Sequence, residues 1–278
     1  MSVLLALLLG SVQGLTEFLP VSSSGHLRVL EALFGIHGPQ TLFDVLLHVG
    51  SLTAVLFVYR DLFARMLSAT VRVLRHPRAL TQGLHTEADA RLVLLVGVAT
   101  IPTGLIGVLL GGFMEGLTGD ISVVGGALVA NAALLLGLGV LSRRVRALPA
   151  GGRSLDELRV RDALLIGLVQ GLGIFRGISR SGSTITAGLL VGLRQDAAAA
   201  FSFLLSVPAI LGALVLESNL DGATLDAPVA VAGVLSSAVV GTLALLLVLR
   251  LLDRGALHHF AWYCLAVGAL AIYLGLAG

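Results

Sequence analysis

The sequence contains little charge and no lysine. All 18 residues counted as Lys or Arg are arginines, and Asp, Glu, Lys and Arg together make up 12% of the chain. A soluble domain carries about 25% charged residues. Apolar residues make up 56% of the 278 residues. This composition excludes an ordinary soluble protein and predicts an integral membrane protein.

Cysteine and N-terminal positive charge are also scarce. Cys264 is the single cysteine, which excludes an internal disulfide. The N-terminus has no basic segment before its apolar run and no evident small-residue cleavage site, so we expect no removed signal peptide. Glycine is abundant at 35 residues, as is typical where membrane helices pack closely. We therefore expect a protein of the lipid bilayer, with no nucleic-acid partner.

One stretch of the chain occurs twice. The first copy, GSVQGLTEFLPVSSSGHL, covers residues 10–27, and the second, GLVQGLGIFRGISRSGST, covers residues 167–184. Val-Gln-Gly-Leu and Ser-Gly recur in both copies at a constant offset. The positions that differ hold Glu17, Ser23 and His26 in the first copy and Ile174, Arg180 and Ser183 in the second. One copy carries acid–base groups and the other carries the cation, so we interpret them as two halves of one site.

Each copy interrupts short apolar segments, which predicts re-entrant helical hairpins at residues 2–35 and 163–193. Two short helices cannot both cross a hydrocarbon core roughly 30 Å thick, and irregular backbone at membrane depth must be buried in protein or line a wet cavity. Longer apolar stretches predict six spans at residues 42–59, 92–113, 121–141, 198–216, 229–249 and 260–276.

These segments predict an all-α integral membrane fold with an inverted-topology repeat. Each half contains one re-entrant helical hairpin and three transmembrane helices: residues 1–145 form the first repeat and residues 146–278 the second, within one membrane domain. Because three is odd, the second half enters from the opposite side. We expect the site near the midplane, where the two hairpins meet.

The loop charges predict an orientation. The segments rich in arginine are 60–91, 143–161 and 250–254. Segments 114–120 and 217–227 contain acids and no bases. The positive-inside rule makes the arginine-rich loops cytoplasmic, which places both termini outside and leaves Arg28, on the outer side, as the exception.

The first copy supplies candidates for acid–base chemistry. Gln13 and Glu17 are four residues apart and share a helix face. Glu17 lies in an apolar stretch, where an ionisable residue is costly and marks a functional site, although turn amides could also satisfy it. His26 is a candidate general acid, base or nucleophile. Ser22 and Ser23 either cap a helix or take part in the chemistry.

Arg180 is the main candidate in the second copy. A guanidinium at membrane depth needs an anionic partner. That partner is either Glu17, in a structural ion pair, or a phosphate group. Ser179, Ser181 and Thr184 surround the start of a predicted helix, and helix N-termini bind phosphate readily.

Two other groups of residues have simpler interpretations. Asp44 and His48 are four residues apart, and an ordinary hydrogen-bonded pair is favoured over a second proton-handling or metal-binding shell. Trp262, Tyr263 and Tyr273 are interpreted as interface or packing aromatics.

These motifs resemble the undecaprenyl-diphosphate phosphatase family of the bacitracin-resistance type. QGLTEFLPVSSSGHL is similar to the first family motif, with its (Glu/Gln)-x-x-x-Glu element at Gln13 and Glu17, and GISRSGST is similar to the second. FDVLLHVGSLTAVL and FSFLLSVPAILGA are also similar to family segments, so the resemblance covers essentially the whole chain. Arg176 stands where the family usually has proline. Its side chain either points inward and contacts the diphosphate or points away and pairs with a carboxylate or a lipid headgroup, and the outward orientation is favoured because a second inward cation at membrane depth is costly.

The resemblance implies hydrolysis of undecaprenyl diphosphate to undecaprenyl phosphate and inorganic phosphate, on the outer side of the bacterial inner membrane. The product is the carrier that cell-wall synthesis reuses, and the activity confers bacitracin resistance. The implied catalytic residues are Glu17, Ser23, His26 and Arg180, and the implied substrate-binding residues are Gln13, Ser22, Ser179, Ser181 and Thr184. A divalent cation, Mg or Ca, is implied as cofactor, with Glu17 and Gln13 as candidate ligands. The nucleophile stays open among Ser23, His26 and an activated water.

Two other functions fit part of the sequence. A secondary transporter or lipid flippase would use the same inverted repeat, and phosphate release by the purified protein separates it from a phosphatase. An intramembrane serine protease would use serine and histidine but gives Arg180 no task. The oligomeric state is open, and a homodimer is compatible with the sequence.

Overall fold

The computed structural model describes residues 1–36, 41–75, 88–148, 151–217 and 226–277, which are almost entirely helical. The helices are α1 (Val3–Phe18), α2 (Ser23–Leu33), α3 (Thr41–Val58), α4 (Arg60–Arg75), α5 (Ala88–Leu117), α6 (Ile121–Arg146), α7 (Val160–Leu172), α8 (Arg180–Leu190), α9 (Gln195–Glu217), α10 (Ala227–Asp253) and α11 (Phe260–Ala277). The predicted all-α membrane fold is confirmed.

Five of the six predicted spans are helices long and apolar enough to cross a membrane. They are Ala88–Leu117, Ile121–Arg146, Gln195–Leu216, Ala227–Asp253 and Leu257–Ala277. The sixth, α3, meets that length only together with α4, and the two helices are bent by 83° at their junction. Several spans run beyond their predicted ends, since arginines in a last turn favour the helix C-terminus, as in α6 with Arg143, Arg144 and Arg146.

Residues 60–91 were predicted to form a loop. This prediction is wrong for residues 60–75, which form helix α4. Residues 76–87 lie outside the described residues. Met66 and Ala69 are buried, and α4 packs against α5. Leu67 and Leu74 are exposed on another face. The loop was predicted from the arginine content of the segment, and these arginines obscure the helical spacing of its apolar residues.

Two helical hairpins, α1–α2 and α7–α8, form at the predicted places. Helix α1 packs along α10, α7 packs along α5, and α6 pairs with α11. Matched glycines allow these contacts: a Cβ on Gly10 would lie 2.3 Å from the Gly233 carbonyl oxygen, and one on Gly167 would lie 2.1 Å from that of Ala99. Each hairpin thus packs on a helix of the other predicted half. The inverted repeat and its boundary at residue 145 stay predictions.

The arginine-rich loops contact one another at one end of the bundle. Arg91 donates hydrogen bonds to the carbonyl oxygens of Asp156, at 2.9 Å, and Leu158, at 2.6 Å. Arg146 donates to the carbonyl oxygen of Leu252 at 2.9 Å, at the end of α10. This common location agrees with the prediction that all three loops share one side.

Arg28 lies away from those loops. Its guanidinium donates to the Gly119 carbonyl oxygen at 2.8 Å, in the turn between α5 and α6, and its Nη1 lies 3.4 Å from a Glu31 carboxylate oxygen. The exception in the charge pattern therefore has local partners, a carbonyl and a carboxylate, on the side with the acidic turn.

Candidate active site

The turns of the two hairpins touch. The backbone N–H of Gly177 donates to Ser22 Oγ at 3.1 Å. A Cβ on Gly25 would lie only 3.1 Å from Gly177 Cα, and Gly177 has a φ of 103°, which favours glycine. The hairpins therefore meet, as the sequence predicted.

The two turns cap their second helices in the same way. Ser22 Oγ accepts from the Gly25 N–H at 3.3 Å at the start of α2. Ser179 Oγ accepts from the Gly182 N–H at 3.0 Å at the start of α8. The next residue is the first of its helix in each case, Ser23 in α2 and Arg180 in α8. Equivalent positions thus bring a hydroxyl and a guanidinium to one cavity.

The carboxylate of Glu17 accepts hydrogen bonds from both hairpins. Arg180 Nη2 donates to Oε1 at 2.5 Å. Ser23 Oγ donates to Oε2 at 2.6 Å, and Gln13 Nε2 donates to the same oxygen at 2.9 Å. Glu17 is only 7% exposed, and charge-assisted hydrogen bonds of this kind stabilise a buried charge. The carboxylate is placed to accept the proton of Ser23.

A cavity of about 260 Å³ opens beside this cluster. Its polar lining consists of Glu17, Ser22, Ser23, Ser24, Asp44, His48, Thr103, Gln170, Arg176, Ser179 and Arg180. Arg180 Nη1 is buried and has no hydrogen-bond partner among the described residues. Because buried donors are nearly always paired, this free side of the guanidinium indicates an anion site.

His48 approaches Glu17 from α3. Its Nδ1 lies 2.7 Å from the Asp44 carbonyl oxygen, which can only accept, so we assign the proton to Nδ1. Its Nε2 lies 3.5 Å from Glu17 Oε2. Asp44 and His48 are therefore hydrogen-bonded, as predicted, but through the Asp44 carbonyl oxygen rather than its carboxylate, and the His48 ring also faces the site.

His26 faces the opposite way, towards α11. Its Nδ1 lies 2.7 Å from the Ser22 carbonyl oxygen and its Nε2 lies 2.8 Å from the Tyr263 hydroxyl. The two rings stack, with centroids 5.4 Å apart. Ser22 has a φ of 70°, a costly conformation for a residue other than glycine, and His26 helps to hold it. His26 does not line the cavity, so its geometry favours positioning of the turn.

Three further predicted site residues lie behind the cavity lining. Gln13 is fully buried beside Glu17. Ser181 Oγ is 3.2 Å from Ser179 Oγ, and Thr184 Oγ1 is 2.5 Å from Ser202 Oγ. These contacts support the cavity wall, whereas Ser22 and Ser179 line it directly.

Asn131 was missed by the sequence analysis. This fully buried residue of α6 donates to the Pro20 carbonyl oxygen at 2.9 Å and accepts from the Ser179 N–H at 3.0 Å. One amide therefore bridges both hairpin turns. An uncharged polar residue inside a membrane span was the available signal, since such side chains hydrogen-bond between helices.

Arg176 lines the cavity, so the expectation that it points away from the site is wrong. Asp44 and Glu17 line the same cavity. Acidic side chains thus accompany the second cation, which lowers the cost on which the outward orientation was predicted.

Few side chains of the site could bind a divalent cation. The described residues contain no group of three His, Cys, Asp or Glu side chains that could hold a metal. Gln13 Oε1, however, is buried beside Glu17 and has no partner among the described residues. Magnesium is often bound by one or two carboxylates together with substrate phosphates. The residues fit a cation whose coordination the substrate completes.

Comparisons with known proteins show which family this chain resembles. A family model described as bacitracin resistance protein BacA matches residues 6–270. The undecaprenyl-diphosphatase of Desulfatibacillum aliphaticivorans is 42% identical over 274 residues, which cover 95% of this chain and 96% of the relative. That of Methanosphaera stadtmanae is 38% identical and covers 99% of this chain and 98% of the relative. By the extent of both matches, this chain belongs to the bacitracin resistance protein BacA family.

Proposed function

We infer that this protein hydrolyses undecaprenyl diphosphate to undecaprenyl phosphate and inorganic phosphate. The names of the relatives support this substrate. The observation that carries the inference is the guanidinium of Arg180. Its Nη2 donates to Glu17, and its buried Nη1 has no hydrogen-bond partner among the described residues. Ser23 lines the same cavity. A guanidinium suits a phosphate because its planar donors match the oxygens.

We propose Ser23 as the nucleophile. Its Oγ attacks the terminal phosphorus, its proton passes to Glu17 Oε2, and the bond from that phosphorus to the bridging oxygen breaks. Undecaprenyl phosphate leaves with the bond electrons, and Arg180 stabilises the charge on the transferred group. The 2.6 Å contact with Glu17 supports Ser23, whereas both ring nitrogens of His26 already have hydrogen-bond partners and His26 does not line the cavity.

Hydrolysis of the phosphoserine completes the cycle. A water attacks the phosphorus and gives up a proton, and Ser23 Oγ leaves and is reprotonated by Glu17. His48 is the group placed to handle the proton of this water, because its Nε2 lines the cavity 3.5 Å from Glu17. With its proton on Nδ1, the ring can accept a second proton on Nε2.

A divalent cation belongs to the proposal. Glu17 and Gln13 Oε1 would hold it together with the substrate phosphates. When bound, it would offset the negative charge of the diphosphate. Magnesium and calcium both prefer oxygen ligands, and titration of chelator-treated protein with each metal separates them.

The proposed location is the bacterial inner membrane, with the cavity open to the outside. The contacts among arginine-rich loops at the other end of the bundle support this orientation. Labelling in intact cells of single cysteines, placed at residue 65 or 115 in a chain in which Cys264 is replaced by alanine, tests the orientation. Reaction of residue 65 from outside would reject it.

A homodimer is also proposed, and measurement of the mass in detergent tests it.

The experiment that tests the function is phosphate release from undecaprenyl diphosphate by purified protein, with and without chelator. We expect one phosphate for each lipid monophosphate formed. Transport of the lipid across vesicles without phosphate release would support the flippase alternative and reject the phosphatase. Peptide cleavage without phosphate release would support the protease.

A further inference from the structure

A second cavity, of about 470 Å³, lies between α5 and α9. We call it the glycine groove; its wall includes Gly104, Gly107, Gly111 and Gly112 of α5 and Pro208 and Gly212 of α9. Both cavities are lined by Thr103, Ile174, Arg176, Ala209 and Ala213. The groove is therefore continuous with the candidate active site.

Four of the five glycines named in the groove face open space, whereas a Cβ on Gly107 would lie 3.3 Å from Ile174 Cδ1. A Cβ built on Gly104, Gly111, Gly112 or Gly212 would meet no atom within 4 Å. Small residues in membrane helices usually allow two helices to pack closely, as Gly167 does against Ala99. Here these four glycines line the cavity instead of a helix contact, so their missing side chains leave a space for another molecule.

The polar groups of the groove lie at its two ends. Arg176 and Thr103 lie at the junction with the first cavity, and Glu115 and Thr118 lie at the far end. Next to the junction, Gln170 is 2% exposed and lines the first cavity, and its Oε1 has no partner in the part of the chain that is described. Between the ends the wall is glycine, proline and aliphatic. This distribution suits an amphiphile with its charged end at the junction.

We propose that the glycine groove binds the first isoprene units of the substrate's lipid chain, and that Arg176 contacts the phosphate to which this chain is attached. The proposal rests on the proposed phosphatase function, since it concerns the same substrate. The volume of the glycine groove lies in the range of about 300–1,000 Å³ that is common for ligand sites. The diphosphate occupies the first cavity, and the chain leaves it between α5 and α9.

Filling the groove tests the proposal. Gly111→Leu and Gly212→Leu add side chains where space is open, and Gly126→Leu in α6 is the matched control, because its Cβ also meets nothing within 4 Å and it lines neither cavity. Turnover is compared for undecaprenyl diphosphate and for dimethylallyl diphosphate, which has a single isoprene unit. We expect kcat/KM for the long substrate to fall about tenfold or more in both groove variants. The short substrate and the control should change little.

Three results would overturn the proposal. Unchanged turnover of the long substrate in both groove variants would place the chain elsewhere. An equal loss for the short and long substrates would make the groove a path for water or phosphate. The same chain-length-dependent loss in Gly126→Leu would show that the effect is not specific to the groove.

A labelling experiment separates this proposal from the proposed function, because it needs no turnover. A prenyl diphosphate with a photoreactive group on its second isoprene unit should label residues 104–112 or 208–216. Undecaprenyl phosphate should compete, and an excess of bilayer phospholipid should not. Labelling confined to other helices, or competition by phospholipid, would overturn the groove assignment even if phosphate is released. Labelling at the groove without phosphate release would reject the phosphatase alone.

Discussion

In the first hairpin Ser22 caps α2 and Ser23 follows it, whereas in the second Ser179 caps α8 and Arg180 follows it. The two turns use the same serine cap on the same type of helix. They differ in the residue that the cap presents to the cavity. One turn presents a hydroxyl and the other a guanidinium, and both side chains reach Glu17.

The difference between the turns explains why two copies are needed. A helix N-terminus favours an anion, and each turn places one such terminus beside the cavity. A single copy could supply either the hydroxyl or the cation at its first helical position, but not both. Asn131 and the contact between Ser22 and Gly177 hold the two turns in register.

The largest effect is expected for Ser23→Ala, which removes the hydroxyl of the first turn. Loss of a nucleophile costs about 10⁴ or more in kcat, and phosphate release should fall by that factor with folding intact. Ser11→Ala is the control, because its hydroxyl donates to the Leu7 carbonyl oxygen within α1. Retained turnover in Ser23→Ala would exclude the serine nucleophile and favour an activated water.

Arg180→Lys alters the second turn and should cost about 10²–10³ in rate, because a planar fork on phosphate becomes a point charge. Steady-state kinetics with undecaprenyl diphosphate measure this loss. Arg194→Lys provides a comparison on an exposed arginine paired with Asp196. Near-normal turnover of Arg180→Lys would make Arg180 structural.

The two histidines should respond differently. His48→Gln removes an imidazole that lines the cavity beside Glu17 and should cost about 10² in kcat, the size expected for a general acid–base group. His26→Ala should lower activity and melting temperature together, since it releases the Ser22 carbonyl. An unchanged kcat in His48→Gln would remove His48 from the proposed mechanism.

Asn131→Ala is expected to have the smallest effect on the chemistry, because Asn131 acts through the turns. The variant leaves a buried carbonyl and a buried N–H without the side-chain amide, at a cost of about 1–3 kcal/mol of stability. Thermal unfolding in detergent measures this loss. A stability equal to that of the unmodified protein would show that the bridge does not hold the turns.

The sequence predicted the hairpins and spans because apolar length and repeated motifs are local signals. Glu17 and Arg180 could be paired because a buried charge needs an opposite one. The orientation of the two histidine rings could not be predicted, since Tyr263 and Glu17 are brought to them by other helices. The glycine groove was also missed, because glycines that close a helix contact and glycines that line a gap look alike in sequence.

The most direct test of the central claim, that the two turns form one site, is a double-mutant cycle on Glu17 and Arg180. Glu17→Gln, Arg180→Met and the double variant are compared by thermal unfolding in detergent. Removing one partner of a buried ion pair is strongly destabilising, because the other charge is left alone, and removing both is less so. We expect each single variant to lower stability and the double variant to recover part of it, with a coupling of about 0.5–3 kcal/mol. Strictly additive losses would mean that the two side chains do not interact and would contradict the account.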